Sequence, residues 1–126
     1  MKRLACLFAA AALWAAPASA AEVTAEDFEA GSVGSVVKLC SAPESSAMNQ
    51  YAQGFCYGWI AGIEQFYDAL VADPRFNVRP TICTDGEISR EEARVMLVDW
   101  AGRNPDSMAM PALSGLIQAI REKHPC

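Results

Sequence analysis

Residues 53–65 read QGFCYGWIAGIEQ, and this stretch decides the fold that the sequence predicts. Gly54, Gly58 and Gly62 recur every four residues, and on a helix this spacing places them on one narrow stripe. Each glycine inside a helix costs about 1 kcal/mol relative to alanine. Dispersion gained by the close approach of a neighbouring backbone can offset that cost. We therefore expect the stripe to be a helix-packing surface.

The same stretch lies within the longest periodic segment of the chain, residues 47–72. Its large apolar residues follow the three-and-four spacing of a buried helix face. Polar residues interrupt the segment too often for a membrane span, although G-x-x-x-G motifs are best known from membrane helices. The expected buried face holds Phe55, Trp59, Ile63, Phe66 and Leu70, widened by Cys56, Ile60 and Tyr67.

Further helices are predicted on both sides of this segment. Residues 32–39 have the apolar spacing of a short helix. Ser89 and Glu92 form a capping box that opens another helix, and Pro111 suits the first turn of a last one. Residues 21–30 precede two closely spaced glycines and are expected to form an extended or loosely ordered arm. Because no stretch alternates as a strand does, the predicted fold class is all-α, with four to five helices.

The N-terminus has the three parts of a secretory signal peptide. Lys2 and Arg3 form a basic region, residues 4–16 are an apolar run too short to span a bilayer comfortably, and residues 17–20 read PASA. We expect cleavage after Ala20 and export to the bacterial periplasm. The rest of the chain, residues 21–126, has the length of a single domain.

The charge of this expected mature chain is strongly acidic. Removing Lys2 and Arg3 from ten basic residues leaves eight against 15 acidic ones, a formal charge of −7. Such a balance disfavours nucleic acid and anionic membrane surfaces as partners, and it favours a basic protein partner.

Four cysteines remain after the expected cleavage: Cys40, Cys56, Cys83 and Cys126. An even number in a short exported chain indicates a disulfide framework, and four cysteines allow three pairings. A metal site that uses the terminal His124-Pro125-Cys126 is the alternative. It is disfavoured because the sequence has no C-x-x-C pair and an oxidising compartment favours disulfides. No cofactor is expected.

The sequence also argues against an enzyme. The single histidine, His124, lies near the chain end, and cysteines that are all expected to be bridged cannot serve as nucleophiles. Three carboxylates, those of Glu87, Glu91 and Glu92, cluster at the start of a predicted helix. The helix dipole favours carboxylates at a helix start, so a solvated helix start explains the cluster better than a catalytic acid–base pair does.

A loop bounded by prolines, residues 73–80, is the first candidate for partner binding. Such loops carry function more often than chance, although a simple connection is the alternative. Two weaker candidates are the 41–49 loop and the methionines of residues 108–110, which can also fill a core. The candidate contact residues are Arg75, Phe76, Asn77 and Arg79.

Taken in order, the motifs resemble those of the Rap/Tai family of type VI secretion immunity proteins. The matching stretches are LC at 39–40, FCYGWIAGI at 55–63, ICTDGEIS at 82–89, WAGRNP at 100–105 and HPC at 124–126. The resemblance covers roughly residues 39–126. It implies an all-helical, periplasmic and usually dimeric protein with a fold similar to the small HdeA-type acid chaperones.

The resemblance also implies a disulfide pairing and a function. By analogy with the HdeA-type bridge, Cys56 would pair with Cys83, which leaves Cys40 with Cys126. Family members bind and occlude a papain-like amidase effector that cuts peptidoglycan, so the resemblance implies an amidase as the partner. It also implies that the protein forms a homodimer. The alternatives are an HdeA-like acid-stress chaperone, in which protonated carboxylates trigger opening, and an envelope protein without a toxin partner.

Overall fold

The computed structural model describes residues 22–126, so the predicted signal peptide and its cleavage site lie outside the described residues. Its helices confirm the all-α prediction, and within the described residues extended pairing is limited to the isolated bridges Ser32–Pro111 and Ile82–Pro125. The α-helices are α1 Val33–Cys40, α2 Asn49–Ala72, α3 Arg90–Arg103 and α4 Ala112–Lys123. Two short 3₁₀-helices, Ala25–Glu29 and Pro105–Ser107, precede α1 and α4.

The shortest α-helix, α1, is the centre of the fold. It packs against each of the other three α-helices and against the first 3₁₀-helix. Its apolar spacing is that of a helix covered on several sides, and Val33, Val36, Leu39 and Cys40 are fully buried. Ser32 caps the helix through its hydroxyl, which accepts from the Ser35 N–H at 3.2 Å.

Helix α2 buries only part of the face that its large apolar residues predict. The buried residues are Ala52, Cys56, Ile60 and Ala61, whereas Phe66 is 60 % exposed. Residue spacing identifies a stripe but cannot decide whether aromatic or small side chains meet the core. Of the predicted face, Cys56 and Ile60 are buried, and Trp59 and Ile63 pack partly against the core.

The glycine stripe of α2 faces away from the core, so the packing prediction for it was wrong. A Cβ atom added at Gly54, Gly58 or Gly62 would meet nothing within 4 Å. The close approach that glycine permits occurs in α4 instead. There a Cβ on Gly115 would overlap the Cγ2 atom of Val33 in α1.

Two disulfides form, Cys40–Cys56 and Cys83–Cys126. All four cysteines are therefore paired as expected, but the pairing implied by analogy was wrong. Cys40 ends α1, which packs against α2 and so meets Cys56. Cys83 lies beside the C-terminus, because its N–H donates to the His124 carbonyl at 3.0 Å.

The segment before α1 is ordered rather than a loose arm. Thr24 and Asp27 form a capping box for the first 3₁₀-helix, in which the Thr24 N–H and hydroxyl donate to Asp27 Oδ2 at 2.8 and 2.9 Å. Lys38 Nζ lies 3.1 Å from Asp27 Oδ1. Burial alone would raise the pKa of Asp27, but the hydrogen bonds from Thr24 and Lys38 outweigh it and lower that pKa. These contacts attach the segment to α1.

Helix α3 begins with the predicted capping box. The Ser89 hydroxyl accepts from the Glu92 N–H at 3.2 Å, and Glu92 Oε2 accepts from the Ser89 N–H at 2.8 Å. Arg94, one turn further, donates from Nη1 to the Cys40 carbonyl at 2.8 Å. The start of α3 is thereby attached to the end of α1.

Candidate functional site

The predicted partner-binding loop, residues 73–80, follows the end of α2 directly. Asp73 ends the helix in an extended conformation, and its carboxylate accepts from the backbone N–H and the Nε–H of Arg75, each at 3.0 Å. The hydrogen bonds from the Arg75 side chain and then its backbone lower the pKa of Asp73. This ion pair folds the first turn of the loop but leaves the Arg75 side chain 84 % exposed.

The middle of this loop presents apolar side chains to solvent. Phe76 is 56 % exposed and Val78 is 38 % exposed. Between them Asn77 has φ 47°, a left-handed conformation that asparagine tolerates better than most residues. Arg79 follows on the same exposed stretch. The structure therefore places all four predicted contact residues on one surface loop.

The far end of the loop is held by backbone contacts and a disulfide. The Thr81 N–H donates to the Tyr67 hydroxyl of α2 at 3.1 Å. Ile82 then pairs with Pro125, and Cys83 is bonded to Cys126. Fixing both ends lowers the entropy that the loop would lose on binding a partner.

Beside the loop lies an apolar cavity of about 440 Å³ that is open to solvent. Its walls come from the second half of α2, from residues 82–88 and from α4. The sequence prediction missed it, because Ile63, Tyr67 and Leu70 were assigned to a fully buried helix face. A signal was present in the acidic Glu64 and Asp68, which are four residues apart among those apolar positions.

The two weaker candidates are tied to the body of the protein. The 41–49 loop buries Ala42, whose carbonyl accepts from Asn49 Nδ2 at 2.7 Å. Met108 and Met110 are half-buried and pack against the cluster that contains Val33 and Trp100. These methionines therefore fill part of the core.

The carboxylates at the start of α3 have structural partners. Glu91 accepts from Arg94 Nη2 and from the Tyr57 hydroxyl, both at 2.6 Å. The hydrogen bonds from Arg94 and then Tyr57 lower the pKa of Glu91 to about 2. Glu92 belongs to the capping box, and its pKa is lowered mainly by the Ser89 hydroxyl. Both groups are held as anions, Glu92 in the cap of α3 and Glu91 in a contact that joins α3 to α2.

Neither a metal site nor a membrane span emerges from residues 22–126. In that range three or more His, Cys, Asp or Glu side chains do not gather as metal ligands would. None of the helices there is both long and apolar enough to cross a bilayer. The described surface presents an anchored, exposed loop beside an open apolar cavity.

Comparison with known proteins gives a single finding. The family model for Rap1a immunity proteins matches residues 32–126, which include all four α-helices, both disulfides and the 73–80 loop. No curated protein and no solved structure matches the chain.

Proposed function

The chain belongs to the Rap1a immunity protein family, and from this premise we propose that it binds and occludes a peptidoglycan-cleaving amidase delivered by type VI secretion. Membership confirms the resemblance seen in the sequence, and the family supports an immunity role against a type VI effector. It is a family of immunity proteins and not of enzymes. We propose further that the effector is an amidase and that the protein acts in the cell envelope.

The exposed apolar loop is the observation that carries the proposal. Phe76 lies at the tip of a segment whose ends are fixed by the Asp73–Arg75 ion pair and by the Cys83–Cys126 disulfide. An aromatic side chain on an anchored loop can enter a cleft at a low cost in entropy. Occlusion needs no catalytic group on the inhibitor, because a filled cleft cannot admit the stem peptide of peptidoglycan.

Export to the periplasm agrees with the disulfides. Two bridges in a chain of this size are typical of an oxidising compartment. The proposed arrangement is a signal peptide at residues 1–20 followed by one immunity domain at residues 21–126. Sequencing the N-terminus of the protein recovered from the periplasm tests the expected cleavage after Ala20.

A homodimer is the proposed assembly, and the exposed face of α2 supports it. The glycine stripe is flanked by Tyr51, which is 68 % exposed, and by Phe66. A second copy could approach the glycines closely and cover both aromatic rings. Light scattering should give twice the chain mass for the natural protein and a monomer for Gly58→Leu, which places a large side chain on the stripe.

The decisive experiment begins with the genes on either side of this one. A neighbour that encodes a small exported Cys/His amidase is purified and titrated with the protein by calorimetry. We expect tight binding and loss of amidase activity, and we expect Phe76→Ala to weaken binding by about 30-fold or more. Val95→Ala, which shortens a 39 % exposed side chain on α3, is the matched control and should bind as the natural protein does.

Failure of every neighbouring amidase to bind would contradict the immunity proposal and favour the acid-stress alternative. The observation behind that alternative is that Asp27 and Glu91, whose pKa values are lowered, join helices as anions. Acid would remove these contacts. Suppression of client aggregation as the pH falls from about 3 to about 2, in a light-scattering assay, tests this function.

A further inference from the structure

The second half of α2 extends beyond the core of the protein. All buried residues of this 24-residue helix lie between Ala52 and Ala61. The remaining residues, 62–72, form about three turns and span roughly 16 Å at 1.5 Å per residue. One side of this extension is nevertheless apolar and half-buried, and it forms a wall of the cavity beside the 73–80 loop.

The cavity is a groove with an apolar base and apolar sides. Its base is the core itself, since Ile60, Ala93 and Leu116 are buried and line the groove. Helices α2 and α4 both pack on α1 and α3, and residues of both line the groove. A volume of about 440 Å³ is within the range of sites that hold a ligand or several side chains. The sides are formed by Ile63, Tyr67, Leu70, Ile82, Ile117 and Ile120.

Acidic side chains surround this apolar surface. Glu64 and Asp68 project from α2, and Glu87 comes from the segment opposite. Among the described residues that line the groove, none is basic, and within residues 22–126 none of these three carboxylates forms an ion pair. An apolar groove with three such carboxylates attracts a partner that carries apolar and cationic groups together.

We propose that the groove binds a protein segment in which a large apolar side chain is flanked by lysine or arginine, and that the immunity partner supplies this segment. This inference rests on the proposed function for the identity of the partner. The apolar side chain contacts Ile63, Ile82 and Ile117, while the flanking cations face Glu64, Asp68 and Glu87. The 73–80 loop and the groove then form one continuous binding surface, since Tyr67 belongs to the groove and accepts from Thr81 at the end of the loop.

A pair of peptides tests the chemistry of the groove without any effector. The basic probe is Ac-KKGFLWGKK-NH2, and the acidic probe has glutamate at the four lysine positions. Methyl resonances of Ile63, Ile82 and Ile117 are followed by NMR in the full chain, with those of the buried Val33 and Leu39 as internal references. We expect the basic probe to shift the groove methyls and to bind about tenfold more tightly than the acidic one. The difference should shrink in 1 M salt.

Charge-reversal variants separate the acidic groups of the groove from the net charge of the protein. Glu64→Lys/Asp68→Lys should weaken binding of the basic probe by about tenfold. Glu29→Lys/Asp99→Lys changes the net charge equally at exposed positions outside the groove, and it should bind as the natural protein does. Equal binding by both variants, or shifts confined to other methyls, would overturn the proposal. So would shifts of the groove methyls on concentrating Gly58→Leu, whose glycine stripe cannot pair with a second copy, because that copy would then occupy the groove.

The same variants distinguish this inference from the proposed function. If the neighbouring amidase binds the natural protein and Glu64→Lys/Asp68→Lys equally well, the groove proposal fails while the immunity role stands. If no amidase binds but the basic probe does, the chemistry of the groove stands while the immunity proposal fails.

Discussion

Gly115 in α4 lies against Val33 in α1 so closely that a Cβ atom on Gly115 would overlap Cγ2 of Val33. Val33 is fully buried, and its β-branched side chain has little freedom to move aside. The ring of Trp100 lies 3.5 Å from the position that a Cβ atom on Gly115 would take. The crossing of α1 and α4 therefore depends on a residue without a side chain.

Replacing this glycine tests the crossing. Gly115→Ala should destabilise the protein by about 1 to 3 kcal/mol, because overpacking outweighs the gain in helix propensity. Urea unfolding followed by circular dichroism measures the difference. A variant as stable as the natural protein would mean that α1 and α4 lie further apart than described.

The opposite result is expected on the glycine stripe of α2. Gly58→Ala adds a methyl group where nothing lies within 4 Å, so the free energy of unfolding should rise by about 1 kcal/mol through helix propensity. The measurement is the same urea titration, made at a concentration where the protein is monomeric. Loss of stability there would place a neighbour against the stripe within the single chain.

Acid should weaken the junction of α2 and α3. The folded pKa of Glu91 is about 2, below the unfolded value near 4.3, so its stabilisation is present above about pH 4.3 and is lost as the pH falls through about 2. Glu91→Gln should therefore be less stable than the natural protein at pH 7, and the difference should close in that window. Thermal unfolding between pH 7 and pH 2 measures it, with Glu44→Gln, on an exposed loop, as the control. A difference that is independent of pH would contradict the role of the anion.

The disulfide pairing has a direct chemical test. A non-reducing peptide map should recover the linked pairs Cys40–Cys56 and Cys83–Cys126. Because the closed loops span 16 and 43 residues, replacing each pair by serine should cost about 3 and about 4 kcal/mol respectively. Only the second replacement should increase hydrogen exchange at the Cys83 amide, which donates to His124. Recovery of a 56-to-83 peptide would restore the pairing suggested by analogy.

Local signals in the sequence were sufficient for most helices. The capping box of Ser89 and Glu92 and the position of Pro111 mark the starts of α3 and α4, because these residues act through their own neighbours in the chain. The possible N-cap at Thr24 did not lead to a helix prediction, because the two glycines that follow it argued against a long helix. A single 3₁₀ turn needs few residues, so those glycines do not prevent it.

Features that depend on distant contacts were not predictable from the sequence. The orientation of α2 is decided by which helix covers it, so the spacing of Gly54, Gly58 and Gly62 could not show that they face solvent. Nothing in the sequence distinguished Gly115 as the close contact. The loop of Phe76 could be located because prolines bound it, whereas the groove is lined by α2, residues 82–88 and α4, which lie far apart in the sequence.

The extension of α2 beyond the core divides one helix into a half that is buried in the fold and a half that faces outward. Residues 62–72 bury no side chain completely, so exchanges there that preserve the helix alter the outer surface at little expense in stability. The first half of α2 is held in place by the Cys40–Cys56 disulfide and by the buried Ile60. Substitutions that reshape the groove can therefore accumulate along this half of the helix without a new scaffold.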